Sequence, residues 1–283
     1  MQDYQSTYNV SKAVLSFEEE MERLKLQARM GWQQELRHLQ WFGLQNGMRV
    51  LEVGSGPGFV TERLLESMPD SPITALEIDG KLLDYARTRL PNRPNLEFVQ
   101  ASVMETGLPD DTYDFAIARL LFLHMHHPLE AAREVLRVLK PGGKLVIIDL
   151  DDGIFGAVHP DMEAMPSILR KVAASVAARG GNRMIGRSLP RLLTQAGFAD
   201  IDMDAVIQHS DLHGIEGFRW QFDSRRFDGF RARGIITDEE FEQLSRASEQ
   251  LSHSSDAYAM MVYVMACGVK PALGDGTNLD KKP

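Results

Sequence analysis

The chain has 283 residues, 43% of them hydrophobic, which suits an ordinary globular protein with one large core. Its formal net charge of −9 argues against nucleic acid as a partner, because phosphate binding normally relies on a basic face. The single cysteine, Cys267, excludes disulfides within the chain and a metal site built from cysteines. With a polar start and no apolar run near the ~20 residues of a membrane span, the sequence predicts a soluble, cytoplasmic protein.

Residues 1–44 are predicted to form a helical cap on a larger domain. Apolar residues recur at helical spacing from about residue 17 to residue 39. Arg23 and Gln27 lie four apart on this helix, so they share one face and could point together at a ligand. A solvated helix face is the alternative interpretation of this pair.

The most informative stretch is Val50–Gly58, which reads Val-Leu-Glu-Val-Gly-Ser-Gly-Pro-Gly. Apolar residues around one acid, followed by three glycines at alternate positions, predict a buried strand that runs into a tight turn. Glycine permits positive φ and lets a ligand lie against bare backbone. The helix predicted from Phe59 directs its first N–H groups toward whatever lies over the turn. The stretch therefore predicts a site for a nucleotide-type cofactor.

The spacing of the glycines decides which cofactor is expected. A dinucleotide fingerprint needs a glycine where Phe59 stands, and no Gly-Lys-Ser/Thr follows as in a Walker loop. The remaining pattern, Glu-x-Gly-x-Gly-x-Gly, resembles the class I S-adenosylmethionine-dependent methyltransferases, especially the branch with the ubiquinone/menaquinone C-methyltransferases and many small-molecule enzymes. The resemblance implies S-adenosylmethionine as cofactor, held at its methionine and ribose parts by Glu52 and the turn. The turn residues are Gly54, Ser55, Gly56 and Gly58.

The second predicted strand, residues 73–78, ends in an acid. Glu77 follows the glycine turn by about 20 residues, and an acid there faces the crevice where a ribose would lie. Its carboxylate can accept hydrogen bonds from both ribose hydroxyls. Glu77 and the adjoining Ile78 are therefore assigned to the cofactor.

The third predicted strand, residues 96–99, leads to Ser102 and Val103. Members of the family commonly have an acid at the position of Ser102, where it accepts a hydrogen bond from the adenine amino group. A serine hydroxyl accepts more weakly, so adenine contacts are expected from Ser102 and from the backbone at Val103.

The fourth predicted strand, residues 115–118, is followed by Arg119. Enzymes that methylate adenine or glutamine nitrogens usually carry acceptor side chains here, and a guanidinium cannot accept a hydrogen bond. Arg119 could instead hold the methionine carboxylate or an anionic group of the substrate. A structural salt bridge is the competing interpretation.

Three histidines, His124, His126 and His127, follow this strand. They lack the His-x-x-x-His spacing of a helix-borne metal site and an accompanying carboxylate motif, so no metal is expected. The related enzymes often have a structural histidine near His124. General-base catalysis by His124 is the alternative.

The segment Lys140-Pro141-Gly142-Gly143 matches a structural signature of the same family and separates a predicted helix from the fifth strand, residues 144–149. Asp149 lies at the end of this strand, on the crevice side. It could orient an acceptor group or remove its proton, and a polar loop with helix caps is an equal alternative. Asp149, His124 and His209 are the candidate catalytic residues, and a base is needed only if the acceptor's pKa is high.

These observations predict an α/β fold: a doubly wound, Rossmann-like, seven-stranded, mainly parallel sheet whose last strand is antiparallel. The domain should span residues 45–270, with helical insertions at about 153–187 and 212–256 that act as lid additions. Residues 271–283 are predicted to be a disordered tail.

The expected function is methyl transfer from S-adenosylmethionine to a small-molecule acceptor. The acidic charge and the helical, Met-rich and aromatic lid favour a neutral or amphipathic acceptor, such as a secondary metabolite or quinone-like compound. The alternatives are an enzyme that uses the same cofactor for other chemistry and a regulatory or partner-binding protein of the same fold. A nicotinamide-dependent oxidoreductase is more distant. A homodimer is left open.

Overall fold

A computed structural model describes residues 6–8, 16–154 and 156–272. One mixed sheet forms the centre of this part of the chain. Its strands are β1 (Val50–Val53), β2 (Ile73–Glu77), β3 (Leu96–Gln100), β4 (Tyr113–Arg119), β5 (Leu139–Leu150), β6 (Gly156–His159), β7 (Ala199–His209) and β8 (Tyr258–Val269).

The path through the sheet is β3-β2-β1-β4-β5-β8-β6, and β7 also pairs with β8. Strands β1 to β5 are mutually parallel, whereas β8 is antiparallel to each of its neighbours. β5 and β6 lie end to end along one edge of β8, and β7 covers the other edge. The expected mainly parallel sheet with an antiparallel last strand is confirmed. The short β6 is an additional strand that the sequence pattern does not reveal.

The described helices occupy both faces of the sheet and its carboxyl edge. Crossovers between parallel strands put helices on the two faces, and the remaining helices come from the N-terminal region and the two insertions. They are α1 (Phe17–Arg29), α2 (Trp32–Trp41), α3 (Phe59–Ser67), α4 (Gly80–Arg89), α5 (Pro128–Val138), α6 (Met165–Ala177), α7 (Leu189–Ala196), α8 (Ser210–His213), α9 (Arg219–Phe222), α10 (Asp228–Arg231) and α11 (Asp238–His253).

The hydrophobic core has one cluster on each face of the sheet. Alternation along β4 sends Phe115 and Ile117 to one face, and Ala116 and Ala118 to the other. The first cluster also contains buried side chains of α2, α6 and the β7–β8 insertion, whereas the second contains those of α5 and α7. Helix α2 and the β7–β8 insertion therefore pack on the same face, whereas Met21 and Ala28 of α1 belong to a third, smaller cluster with Phe59 and Leu82.

The N-terminal helical pattern is divided into α1 and α2 at Gly31. This glycine has a φ of +77°, and a Cβ there would lie 2.3 Å from Nε2 of Gln208. The approach of β7 thus requires a residue without a side chain, and the left-handed backbone ends the first helix. Periodicity alone predicts one continuous helix because it does not register a contact with a distant strand.

No helix in the described residues combines the length and apolarity needed to cross a bilayer. The part of the predicted tail at residues 273–283 lies outside the described residues. The division into a cap, a main domain and insertions stays a prediction.

Candidate functional site

The glycine turn between β1 and α3 adopts left-handed backbone at alternate residues. Gly54, Gly56 and Gly58 have φ values of +72°, +54° and +77°. A Cβ at Gly54 would lie 3.0 Å from a methyl group of Leu121, whereas a Cβ at Gly56 would meet no atom within 4 Å. The turn therefore presents bare backbone to open space at Gly56.

Ser55 lies within this turn. Its hydroxyl oxygen is buried and has no hydrogen-bond partner among the described residues. Buried hydroxyls nearly always have a partner, since leaving one unpaired costs about 1–3 kcal/mol. A polar ligand group at the turn would supply the missing partner, so the residues present fit a bound cofactor.

Glu77, at the end of β2, is hydrogen-bonded to the glycine turn. Its two carboxylate oxygens accept hydrogen bonds from the backbone N–H of Gly56, at 2.8 Å, and of Asp79, at 2.9 Å. Burial raises the pKa of Glu77, and these backbone donors oppose the rise. Each oxygen keeps lone-pair capacity that a ribose diol can use. The following residue, Ile78, is exposed beside it.

Glu52, in β1, is a second buried acid at the site. Its carboxylate accepts a hydrogen bond of 2.6 Å from the Thr61 hydroxyl. Burial raises its pKa to about 8; the Thr61 hydrogen bond and Arg119 lower it, and the charge of Glu77 adds to the rise. Thr61 was not among the predicted site residues, although it lies on the first turn of the helix after the glycines.

Ser102 and Val103 lie in the loop after β3, where both are largely buried. The Ser102 hydroxyl accepts a hydrogen bond from the backbone N–H of Met104, at 3.2 Å. Its own proton remains available to donate. The hydroxyl also keeps a second lone pair, so Ser102 can still either donate to a ligand or accept from it, and its expected contact with the adenine stays a prediction.

Arg119 forms a buried ion pair with Glu35 of α2. Its Nε and Nη2 donate to the two carboxylate oxygens at 2.8 and 2.9 Å, and Nη2 also donates to the backbone oxygen of Gln27 at 3.0 Å. Arg119 and Glu35 side chains are 8% and 0% exposed. The geometry favours the structural salt bridge over a hold on the methionine carboxylate. Sequence reasoning missed Glu35, although it is an acid between Trp32 and Leu39 on the apolar face of its helix.

His124 lies under the N-terminal segment. Its Nδ1 is 2.9 Å from the hydroxyl oxygen of Thr7, and the Tyr8 ring packs against it at 5.4 Å between centroids. Burial, with the nearby charges of Arg183 and Arg23, lowers the pKa of His124 to about 3. The imidazole is therefore neutral at physiological pH and a weak base.

The other two catalytic candidates lie apart from each other. Asp149 is fully buried and accepts hydrogen bonds from the backbone N–H of Leu123 and Leu150, so it braces the loop that carries His124. Burial raises the pKa of Asp149 to about 7. His209 ends β7, separated from β5 by β8. The structure brings Asp149 close to His124 and does not bring His209 to them.

The N-terminal segment is joined to the same loop. The backbone N–H of Thr7 donates to the carbonyl of His124 at 3.0 Å. The Tyr8 hydroxyl donates to Glu20 at 2.8 Å, and Glu20 forms a bidentate pair with Arg23. No metal-binding group of three or more His, Cys, Asp or Glu side chains occurs in residues 6–8, 16–154 and 156–272.

Comparison with known proteins places these features in a family. Residues 51–147 match the family described as "Methyltransferase domain". The match contains the glycine turn, Glu77, Ser102, Arg119 and His124. The chain carries a class I S-adenosylmethionine-dependent methyltransferase domain. The α1 and α2 helices and the two insertions lie outside the matched residues.

Two of the curated relatives illustrate the sequence similarity. The ubiquinone/menaquinone biosynthesis C-methyltransferase of Pseudomonas fluorescens is 32% identical over 111 residues, which cover 38% of this chain and 43% of that enzyme. The malonyl-[acyl-carrier protein] O-methyltransferase of a Paenibacillus species is 27% identical over 157 residues, covering 54% of this chain and 56% of that enzyme. The chain thus spans about half the length of the relatives it matches.

A solved structure shows the same fold. Phosphoethanolamine N-methyltransferase 2 of Haemonchus contortus, solved with phosphomonomethylethanolamine and S-adenosylhomocysteine, has a TM-score of 0.55 and 16% identity. The similarity covers 85% of this chain and 53% of that one. It therefore extends beyond the matched domain.

The buried ion pair predicts a strong coupling between Arg119 and Glu35. Either single change, Arg119→Met or Glu35→Leu, should lower the free energy of unfolding by roughly 3–5 kcal/mol, because the remaining charge stays buried without its partner. The double variant should recover most of this loss, as urea unfolding would measure. The exposed pair Arg63 and Glu66 on α3 is the control, and Glu66→Ala should cost less than about 1 kcal/mol.

The same double variant tests the role of Arg119. If the pair is structural, the double variant should bind S-adenosylhomocysteine within a few-fold of the wild type. A loss of binding in a folded double variant would instead support a direct contact with the methionine carboxylate.

The raised pKa of Glu52 predicts a pH-dependent cost to stability. Its pKa is about 8 in the folded protein against 4.5 ordinarily, so the unfolded chain ionises first and stability falls as pH rises through this window. Glu52→Gln keeps an acceptor for Thr61 and removes the charge. The variant should match the wild type near pH 4 and exceed it by up to about 3 kcal/mol at pH 7 in urea unfolding. A difference that does not change with pH would contradict this.

Proposed function

We propose that the chain catalyses methyl transfer from S-adenosylmethionine to a small-molecule acceptor. The observation that carries the proposal is the glycine turn. There the Ser55 hydroxyl has no partner among the described residues, Gly56 faces open space, and the Glu77 carboxylate accepts a hydrogen bond from the backbone N–H of Gly56. This arrangement lies within the residues that match the methyltransferase domain.

Different residues at the turn are expected to bind different parts of the cofactor. We expect Glu77 to accept hydrogen bonds from the ribose hydroxyls, and Glu52 and the turn backbone to bind the methionine part. Ser102, Val103 and Ile78 flank the place expected for the adenine. When bound, S-adenosylmethionine supplies an electrophilic methyl group on a positively charged sulfur. A cation bound there would favour the ionised forms of Glu52 and Glu77, so the two carboxylates and the cofactor would stabilise each other.

The protein's contribution to the reaction is expected to be alignment and exclusion of water rather than strong base catalysis. His124 is neutral with a pKa of about 3, and the side chain of Asp149 is fully buried, with a backbone N–H bonded to each of its carboxylate oxygens. Neither residue is well suited to remove a proton from an acceptor. An acceptor whose nucleophile is already unprotonated at neutral pH agrees best with this site.

The acceptor is proposed to be a small molecule. One named relative is a C-methyltransferase of ubiquinone/menaquinone biosynthesis, and the other is a malonyl-[acyl-carrier protein] O-methyltransferase. These names describe those enzymes and do not identify the acceptor of this chain. The formal net charge of −9 supports a partner other than nucleic acid. A cytoplasmic location and a homodimer stay predictions from the sequence.

Calorimetric titration of the full chain tests the proposal. S-adenosylmethionine and S-adenosylhomocysteine should bind at micromolar concentrations, whereas NADH should not. Glu77→Gln should weaken binding by about 1–3 kcal/mol, roughly 5- to 150-fold, because a charged hydrogen-bond acceptor is lost. Glu97→Gln, on the exposed surface of the neighbouring strand, is the matched control and should leave binding unchanged.

Absence of binding by both sulfur ligands would refute the proposal. Binding that Glu77→Gln leaves unchanged in a folded variant, as shown by circular dichroism, would refute the assignment of this carboxylate. Transfer of label from methyl-labelled cofactor to a panel of quinols, carboxylic acids and phosphate esters then separates methyl transfer from other uses of the cofactor.

A further inference from the structure

Five arginines lie near the carboxyl edge of β4 and β5. Four have a carboxylate partner in bidentate geometry: Arg119 with Glu35, Arg23 with Glu20, Arg183 with Asp152, and Arg187 with Asp151. In each pair the two charges compensate, so these four arginines add no net charge to the region. The fifth is Arg226.

Arg226 lies in the short helical turn Ser224–Phe227 of the β7–β8 insertion. Its Nη1 donates to the backbone oxygen and to the side-chain oxygen of Gln221, at 2.7 and 2.9 Å. The guanidinium also lies over the Phe227 ring, 5.3 Å from its centre. All of these partners are uncharged. Within the described residues no carboxylate lies within ion-pair distance of Arg226, and its Nε and Nη2 form no hydrogen bond.

The neighbouring Arg225 shows what an ordinary arginine does in the same turn. Its side chain is 54% exposed and pairs with Asp223 through Nε and Nη2. Arg226 is instead directed inward and half-buried. Burial and the positive charges of Arg183 and Arg23 lower the pKa of Arg226 to about 10, so it stays charged at neutral pH. A half-buried guanidinium with no carboxylate partner among the described residues is a favourable place for an anion to bind.

The surroundings of Arg226 place it on the acceptor side of the site. Asp152 lies two residues beyond the end of β5, and Tyr263 of β8 pairs with Leu150, the last residue of β5. Both residues are close enough to act on Arg226 electrostatically. Phe227 is buried in the core, so the turn that carries the guanidinium is firmly held.

We infer that Arg226 binds an oxyanion of the acceptor, a carboxylate or phosphate group, through its free Nε and Nη2 edge. This inference rests on the proposed methyl transfer and narrows its substrate class to anionic molecules. It departs from the neutral or amphipathic acceptor that composition favours. A guanidinium presents two parallel N–H donors that match two oxygens of either group, and one anion balances the one uncompensated charge. Arg226 positions the acceptor and takes no part in bond making.

A matched pair of probes tests this inference on the full chain saturated with S-adenosylhomocysteine. Benzoate and benzamide have nearly the same shape and differ in charge, and phenyl phosphate distinguishes a phosphate from a carboxylate site. Saturation-transfer NMR titrations should show benzoate or phenyl phosphate binding at least tenfold more tightly than benzamide. Arg226→Gln should abolish this preference. Arg226→Lys keeps the charge but loses the two parallel N–H donors, so it should retain part of the preference for anions.

Arg219→Gln is the matched control. Arg219 lies in the same insertion, is 65% exposed and sits beside Glu216, so its removal should not change the preference for anions. The inference is refuted if neither benzoate nor phenyl phosphate binds more tightly than benzamide. A preference that survives Arg226→Gln would also refute it.

The two proposals fail in different ways. Failure of the wild type to bind S-adenosylhomocysteine would refute the proposed methyl transfer. Normal binding of that ligand with no preference for anions would refute only the role of Arg226. If Arg226→Gln does not fold, the comparison of wild type with Arg226→Lys decides the inference, because a charge without the two parallel N–H donors should bind benzoate less tightly.

Discussion

The buried ion pair between Arg119 and Glu35 is the interaction on which the site depends. Arg119 ends the central strand β4, and Glu35 belongs to α2, so the pair attaches the N-terminal helices to the carboxyl edge of the sheet. Through the carbonyl of Gln27 the same guanidinium also contacts α1. Because a buried charge without its partner is strongly unfavourable, the helices cannot move away from this edge without a large cost. The cofactor turn is thereby covered from one side.

The acids of the cofactor turn are arranged for binding at the expense of stability. Glu52 and Glu77 are both buried, and burial raises the pKa of each. Two carboxylates close together in a region of low dielectric disfavour ionisation, and a bound cation relieves that unfavourable energy. The unpartnered hydroxyl of Ser55 fits the same description. In the absence of a ligand these three residues lower the stability of the folded protein, so a role in binding explains them better than a structural role.

On the proposed acceptor side of the site, the charged side chain that lacks a partner is an arginine rather than an acid. Arg23 and Arg183 are neutralised within the protein, and Arg226 is not. A negatively charged acceptor would balance the charge of Arg226. The positive charge of the cofactor would lie beside the acids of the glycine turn. In the proposed complex the cofactor's positive charge and the acceptor's negative charge would therefore have separate partners, and this arrangement would orient an anionic acceptor relative to the donor.

The sequence by itself determined the class of fold and the cofactor turn. Gly54, Gly56, Gly58 and Glu77 act through backbone conformation and strand ends, which are local properties that short motifs record. Only the tertiary structure decided what the charged residues do. Arg119 pairs with Glu35, 84 positions away, whereas Arg226 has no carboxylate partner among the described residues. Ion pairs depend on which distant residues the fold brings within a few ångströms, and no local pattern contains that information.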